Sequence, residues 1–198
     1  MAHLLLFFIH PIPATITISS SLDETSIIFL FCINRFLLFG GRKGHVAVLD
    51  CLRTVVGAEL QLSEEIHDVH YLHNETMFAV AQNKYTYIYD HKGVEVHCMR
   101  RHERPYKLDF LPYHYLLTTV GHSGWLKWHD VSTGEYVTGY QTGFGPCKVL
   151  KHNPVNAVSH LGHSNGVVSL WSPAVGTTRT ILTSICHVFR CILHAFRP

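Results

Sequence analysis

Charge is what this sequence has least of: 15% of its 198 residues are Asp, Glu, Lys or Arg, against roughly 25% in soluble domains. Its 16 Lys and Arg stand against 14 Asp and Glu, a formal charge of +2. That balance excludes a uniformly basic nucleic-acid coat and an acidic tail, so any nucleic-acid contact must be local. No C-x-x-C pair occurs among Cys32, Cys51, Cys98, Cys147, Cys186 and Cys191, which gives neither a zinc spacing nor a disulfide framework and fits a reducing compartment. The apolar runs Met1 to His10 and Ser26 to Phe39 fall short of the roughly 18 residues of a membrane span. The same stretch lacks the basic start and cleavage site of a signal peptide, so membrane association is not expected. No Gly-x-Ser-x-Gly elbow, phosphate-binding loop or His-Glu-x-x-His string is present. Neither catalysis nor a cofactor nor a small-molecule substrate is expected.

Histidine, by contrast, is abundant, with 17 residues. His67, His70 and His73, or His160 and His163, invite a metal reading. Three-residue steps on a strand put successive side chains on opposite faces, while ligation needs donors converging within about 2.0–2.3 Å; no metal site is expected.

A period of about 40 residues organises the chain. Phe36 to Asp50, Met77 to Asp90, Leu116 to Asp130 and Ala157 to Ser172 align with one another, and their closing positions 50, 90, 130 and 172 lie 40, 40 and 42 residues apart. Six residues before each stands Gly44, Lys84, Gly124 or Gly166. Each unit reads as apolar strand, tight turn, alternating strand and a second turn opened by Asp or Ser. Glycine suits the first turn because it takes positive φ without steric cost. Further extended stretches follow each unit (Gly57 to Leu62, Val94 to Met99, Glu135 to Tyr140) and precede the next (Ile66 to Leu72, Tyr106 to Leu111, Lys148 to Leu150). Four strands per unit of this length is the signature of an all-β, WD40-type β-propeller; a generic sandwich does not predict so constant a period.

The repeat is degenerate. Its closing dipeptides are Leu49-Asp50, Tyr89-Asp90, His129-Asp130 and Trp171-Ser172, so Trp-Asp never occurs, and Gly121-His122 and Gly162-His163 lie before the third strand. The side-chain network of a standard blade is therefore expected to be incomplete. Asp50, Asp90 and Asp130 read as turn-capping acids that bond local backbone. Trp125, Trp128, Trp171, Tyr85, Tyr87 and Tyr89 read as packing between blades. Four closing positions give about three complete blades plus a partial one, too few for a closed ring, and imply a fragment of a longer, seven-bladed propeller. The expected organisation is an apolar segment at 1–31 outside the propeller, of the kind an ill-chosen chain start or intron-derived translation produces. Blades follow at 32–173, then an incomplete following blade or unrelated tail at 174–198, with Ile181-Leu182 as a worn strand.

Particular strings are more specific than the period: Gly40-Gly-Arg-Lys-Gly-His-Val-Ala47, Phe78-Ala-Val-Ala-Gln-Asn83, Ile88-Tyr-Asp90, Glu95-Val-His-Cys98, Phe110-Leu-Pro112, Asn153-Pro154, Asn156-Ala157 and His160-Leu-Gly-His-Ser-Asn-Gly-Val-Val-Ser-Leu-Trp-Ser-Pro173. Together they resemble the WD-repeat nucleolar proteins of the small-subunit processome, the Utp-seven or BING-four type, over about residues 34–173. The resemblance implies a non-enzymatic scaffold in the nucleus and nucleolus, working with pre-ribosomal proteins, precursor rRNA and the U-three small nucleolar ribonucleoprotein in maturing the small-subunit rRNA. The alternative is a general WD-repeat adaptor outside ribosome biogenesis.

Propellers bind through loops on their rims, and two basic sites qualify. Arg42-Lys43 sits in a Gly-flanked turn whose backbone N–H groups add to the cationic side chains in gripping phosphate. Arg100-Arg101-His102-Glu103-Arg104 with Lys107 is the densest basic run, with Tyr106 beside it. Each stands open between an RNA or acidic-partner contact and an ordinary solvated turn.

Overall fold

The computed structural model describes residues 27–33, 35–101, 104–153, 155–174 and 181–183. Within them lie four sheets, each a four-stranded antiparallel meander in chain order. The first holds β1 (Ile27–Ile33), β2 (Phe36–Gly41), β3 (His45–Asp50) and β4 (Val55–Gln61). The second holds β5 (Ile66–Tyr71), β6 (Met77–Gln82), β7 (Thr86–Asp90) and β8 (Glu95–Met99), with a 3-10 turn at His73–Glu75. The third holds β9 (Pro105–Leu111), β10 (Leu116–Gly121), β11 (Trp125–Asp130) and β12 (Tyr136–Gln141). The fourth holds β13 (Cys147–Asn153), β14 (Val158–His163), β15 (Val167–Trp171) and β16 (Ile181–Thr183).

The first strand of each sheet touches the first strand of the next: β1 meets β5, β5 meets β9, and β9 meets β13. These are the inner strands of successive propeller blades. Second strands such as β6 and β10 are buried along nearly their whole length, because a blade is covered on both faces. This is why they read as continuous short apolar runs and not as alternating ones. Outer strands β4, β8 and β12 are largely exposed. Leu38, Val46 and Val48 pack against Tyr71, Phe78, Val80 and Tyr89 between the first two sheets. Ala79, Ala81 and Ile88 meet Leu108, Phe110 and Leu117 between the second and third. Leu126 and Trp128 meet Cys147, Leu150, Leu161 and Trp171 between the third and fourth. Each such layer is buried apolar area, stabilising at roughly 25 cal/mol per Å².

The described residues thus form four four-stranded sheets where the sequence count gave about three blades and a part. The difference lies at the two ends. The expected boundary after residue 31 falls inside β1, which pairs with β2 from Ile27↔Gly41 to Ile33↔Phe36, and Ile181–Thr183 pairs with β15. Counting from closing positions misses β1, which lies outside the repeated string, while Ile181–Thr183 stands where Ile181-Leu182 was expected as a worn strand. The remainder of the segments expected at 1–31 and 174–198, residues 1–26 and 184–198 in particular, lies outside the described residues.

Candidate functional site

A meander puts its turns at two ends. The β2–β3, β6–β7, β10–β11 and β14–β15 turns share one rim with the connections between sheets, and the remaining turns form the opposite rim. All six candidate cations fall on the first rim. Arg42 and Lys43 occupy the β2–β3 turn, Arg100, Arg101 and Arg104 the β8–β9 connection, and Lys107 is the third residue of β9.

They do not converge on one point. Arg42 pairs with Glu65, which raises the guanidinium and lowers the carboxyl from their ordinary values; Gln61 donates to the Lys43 carbonyl at 2.9 Å. Arg100 turns outward beside Cys98, Tyr85 and Tyr87 and lines, with Glu64, Lys84 and Glu95, a surface depression of about 470 Å³. The Arg101 carbonyl accepts from the Lys127 ammonium. Arg104 lies in the left-handed region at φ 51°, with its amide donating to the Lys84 carbonyl at 3.1 Å. Lys107 Nζ is 3.6 Å from Asp68 Oδ2. The β8–β9 run, continuous in sequence, is divided by the fold between the outer face and the axis.

The turn glycines stand where the repeat placed them. Gly44, Gly124 and Gly166 have φ of 91°, 78° and 83°. A Cβ on Gly44 would lie 2.2 Å from the Leu62 carbonyl oxygen, so that turn requires glycine for closeness as well as for φ. In the second sheet Lys84 holds the place, and the turn closes by the Gln82 amide donating to Tyr85 O at 2.9 Å.

Along the inner strands runs a polar ladder that the sequence reading did not find. Asp68 of β5 accepts the Leu108 amide of β9 at 3.0 Å, and Asp109 of β9 accepts the His152 amide of β13 at 2.7 Å. Each carboxylate stitches its blade to the next. His70 Nε2 and Lys151 Nζ lie 3.0 and 3.4 Å from Asp109 Oδ1. Burial pushes the Asp109 carboxyl up, but the His70 hydrogen bond, with His152 and Lys151 nearby, more than offsets it and holds the group below its ordinary range. At Asp68 burial wins over Lys107 and the Leu108 amide, and the carboxyl is raised. The signal was present as Asp68 and Asp109, 41 residues apart, but acids inside apolar strands are not marked by periodicity.

The opposite rim holds the closing residues. Asp50 Oδ1 accepts the Leu52 and Arg53 amides at 3.0 and 3.3 Å and also pairs with Arg35, which with those bonds brings the carboxyl down to about 2. Asp90 accepts the Lys92 and Val94 amides, both at 2.8 Å. Asp130 accepts the Ser132 amide at 2.7 Å. Of the aromatics, Trp128, Trp171 and Tyr89 are buried between sheets. Trp125 departs from the expected packing: it is 38% exposed at the rim end of β11, with Lys127 Nζ 5.4 Å from its ring. In the fourth sheet Trp171 Nε1 donates to Ser169 Oγ at 2.9 Å, and His163 Nε2 meets the same oxygen at 2.8 Å. That is a side-chain relay where the degenerate repeat led us to expect an incomplete one. His67 and His70 belong to rim and axis contacts, and among the described residues no group of three or more His, Cys, Asp or Glu is arranged to hold a metal ion.

No family model matches the chain. Over 139 residues it is 58% identical to U3 small nucleolar RNA-associated protein 7 of Saccharomyces cerevisiae, a match covering 70% of this chain and 25% of that protein. Over 153 residues it is 48% identical to WD repeat-containing protein 46 of Mus musculus, covering 77% of this chain and 24% of that protein. The chain therefore spans about a quarter of the length of these relatives. Among solved structures, the β-propeller domain of Myceliophteria thermophila Cps50 (Swd1) superposes with a TM-score of 0.68 at 15% identity, over 80% of this chain and 58% of that one. At that identity the likeness shows the fold alone, a partial WD40-type propeller.

Proposed function

We propose a role that follows from kinship: this chain belongs to the WD-repeat family of U3 small nucleolar RNA-associated protein 7 and WD repeat-containing protein 46. Its role is that of a non-catalytic scaffold of the small-subunit processome, acting in the nucleolus in precursor rRNA processing and maturation of the small-subunit rRNA. The 58% identity over 139 residues carries this reading, since a fold as widely reused as the propeller says little about function by itself. Mechanistically the protein recognises and does not transform. The sheets hold two rims of turns in fixed relation, and the rim bearing Arg42, Lys43, Arg100, Arg101, Arg104 and Lys107 faces RNA or acidic protein, where cations displace counterions from phosphate.

Sedimentation of the tagged full chain on a density gradient of nuclear extract tests the role. The expected result is co-migration with large pre-ribosomal particles and release by ribonuclease. Migration with small complexes, unchanged by ribonuclease and free of precursor rRNA, would instead support a general WD-repeat adaptor.

A further inference from the structure

At the same place in each sheet the pairing between first and second strands slips by one residue. The slip lies between Ile27 and Phe29, Ile66 and Asp68, Pro105 and Lys107, and Cys147 and Val149. A bulge of this kind leaves its extra residue out of the ladder and re-aims its side chain. In the last three sheets that residue is His67, Tyr106 or Lys148. The three are brought together at the basic rim: the His67 and Tyr106 rings are 6.0 Å apart, and Lys148 Nζ is 5.5 Å from the centre of the Tyr106 ring. His122, exposed in the β10–β11 turn, sits 4.4 Å from the Tyr106 ring and 6.2 Å from His67.

Among the described residues, the carboxylates beside these cations are already engaged. The Lys107 ammonium is 5.8 Å from the Tyr106 ring and pairs with Asp68, while the neighbouring Glu65 is engaged by Arg42. Burial lowers the His122 imidazole from its ordinary value, and the neighbouring His67, Lys148 and Arg104 lower it further. Arg104 starts from a left-handed backbone, a conformation that persists in a non-glycine residue where the surroundings over-determine it. Three rings with Lys148 and Arg104, drawn from three blades, thus lie together on this rim.

Aromatic and imidazole faces beside positive charge suit a ligand with both a π face and an anionic link. An acidic peptide would meet the cations and leave the rings unused. A duplex would keep its bases stacked on one another. We propose that the bulge-presented cluster of His67, Tyr106 and Lys148, completed by His122 and Arg104, binds unpaired RNA, with a base against the Tyr106 and His122 rings and phosphate at Lys148 and Arg104. This rests on the RNA-associated role assigned above and names the site that serves it.

Fluorescence anisotropy of the full chain with an oligouridine of about 20 nucleotides, across a salt series, tests it. Tyr106→Leu is expected to weaken binding by roughly five- to hundredfold and leave the salt slope unchanged. Lys148→Gln is expected to reduce that slope by about 0.7. His122→Ala, on an exposed turn, keeps the test open should Tyr106→Leu unfold by circular dichroism, and is expected to weaken binding at least about threefold. Affinity within about twofold of the parent in the folded ring variants overturns the proposal, as does equal binding of oligoglutamate or of duplex RNA. Loss of binding on Arg100→Gln with Arg101→Gln, while Tyr106→Leu binds normally, places the contact on the outer face and likewise overturns it. A chain that binds no oligouridine yet co-sediments with pre-ribosomal particles overturns this site and leaves the scaffold role standing.

Discussion

The third and fourth sheets share a ladder and differ in how it is wired. Three residues before their closing positions stand Lys127 and Ser169, and one residue before stand His129 and Trp171. In the fourth sheet the small hydroxyl of Ser169 joins Trp171 of β15 to His163 at the end of β14, so the two strands hold each other. In the third, Lys127 sends its ammonium out to the Arg101 carbonyl. His129 is buried with both ring nitrogens unpartnered, as is the indole nitrogen of Trp128. Such orphaned polar groups cost about 1–3 kcal/mol each. The third sheet, packed on described neighbours at both faces, tolerates these costs through burial of its apolar side chains. The fourth, with one described neighbour, carries its own relay. The fourth sheet has orphans of its own at His152 and Ser159, so the two blades differ in the wiring at this rung and not in being free of unmet polar groups.

The comparison breaks most severely at the layer between the two. Trp128 is fully buried, edge-on to Tyr140 at 5.9 Å, and Tyr140 stacks on Trp171 at 5.9 Å. Trp128→Ala is expected to lower stability by about 3–5 kcal/mol, read from the urea midpoint. A loss below about 1 kcal/mol would mean that the third sheet does not depend on its neighbour.

Acid tests the buried histidines of both blades next. Burial, with Lys127 adding to it, brings the His129 imidazole down to about 4, against about 6.5 in the unfolded chain. The unfolded state therefore binds the proton first. The contribution of this group is fully present above about 6.5, falls as the pH drops through the interval to about 4, and is constant below it. Its full size is roughly 3 kcal/mol. His152, also pushed to about 4 mainly by burial, adds a similar fall, and His163 and His122 are lowered as well, so His129→Leu should remove part, and less than about half, of the slope of stability between pH 4 and 6.5. An unchanged slope would remove His129 from the account of the third sheet.

Ser169→Ala tests the relay. It strands Trp171 Nε1 and His163 Nε2 in a buried place and should cost about 1–3 kcal/mol. Lys127→Ala, at the same rung, should stay within roughly 0.5–1 kcal/mol. Equal losses in the two variants, measured by denaturant unfolding, would dissolve the distinction between the blades.

Much of this architecture was legible because a blade repeats its physical demands. A turn that needs positive φ asks for Gly44, Gly124 and Gly166, and a turn whose amides need an acceptor asks for Asp50, Asp90 and Asp130. Strand positions followed closely, as with Ile66 to Leu72 expected and Ile66–Tyr71 observed. The rim contacts were less legible. A period of two assumes an unbroken register, so the bulges that single out His67, Tyr106 and Lys148 leave no mark in the pattern, and a histidine, a tyrosine and a lysine at one structural position share no residue type to align. Arg100 and Arg104 looked like one cluster because sequence distance is small, although the connection sends them to different faces. Relay wiring in the fourth sheet was hidden for a related reason: Ser169 is unremarkable in sequence and matters through what it lies between.

At the closing turn the two sheets exchange roles. Asp130 accepts from the Ser132 amide at 2.7 Å and from its hydroxyl at 2.5 Å, bonds that hold its carboxyl below the ordinary range. Ser172, in the corresponding place, accepts the Ala174 amide at 3.4 Å, a weak bond by length. The sheet with the internal relay thus has the looser turn. Ser172→Asp should supply the missing acceptor and raise stability slightly, by up to about 0.5 kcal/mol, seen as a small rise in Tm at neutral pH. A carboxylate stabilised in the folded state contributes above its unfolded pKa of about 3.9 and loses that contribution as the pH falls through the lower folded value. The gain should therefore vanish near pH 2–3. A gain that persisted there would have to come from something other than turn capping, and a loss at neutral pH would show that the fourth sheet closes differently from the third.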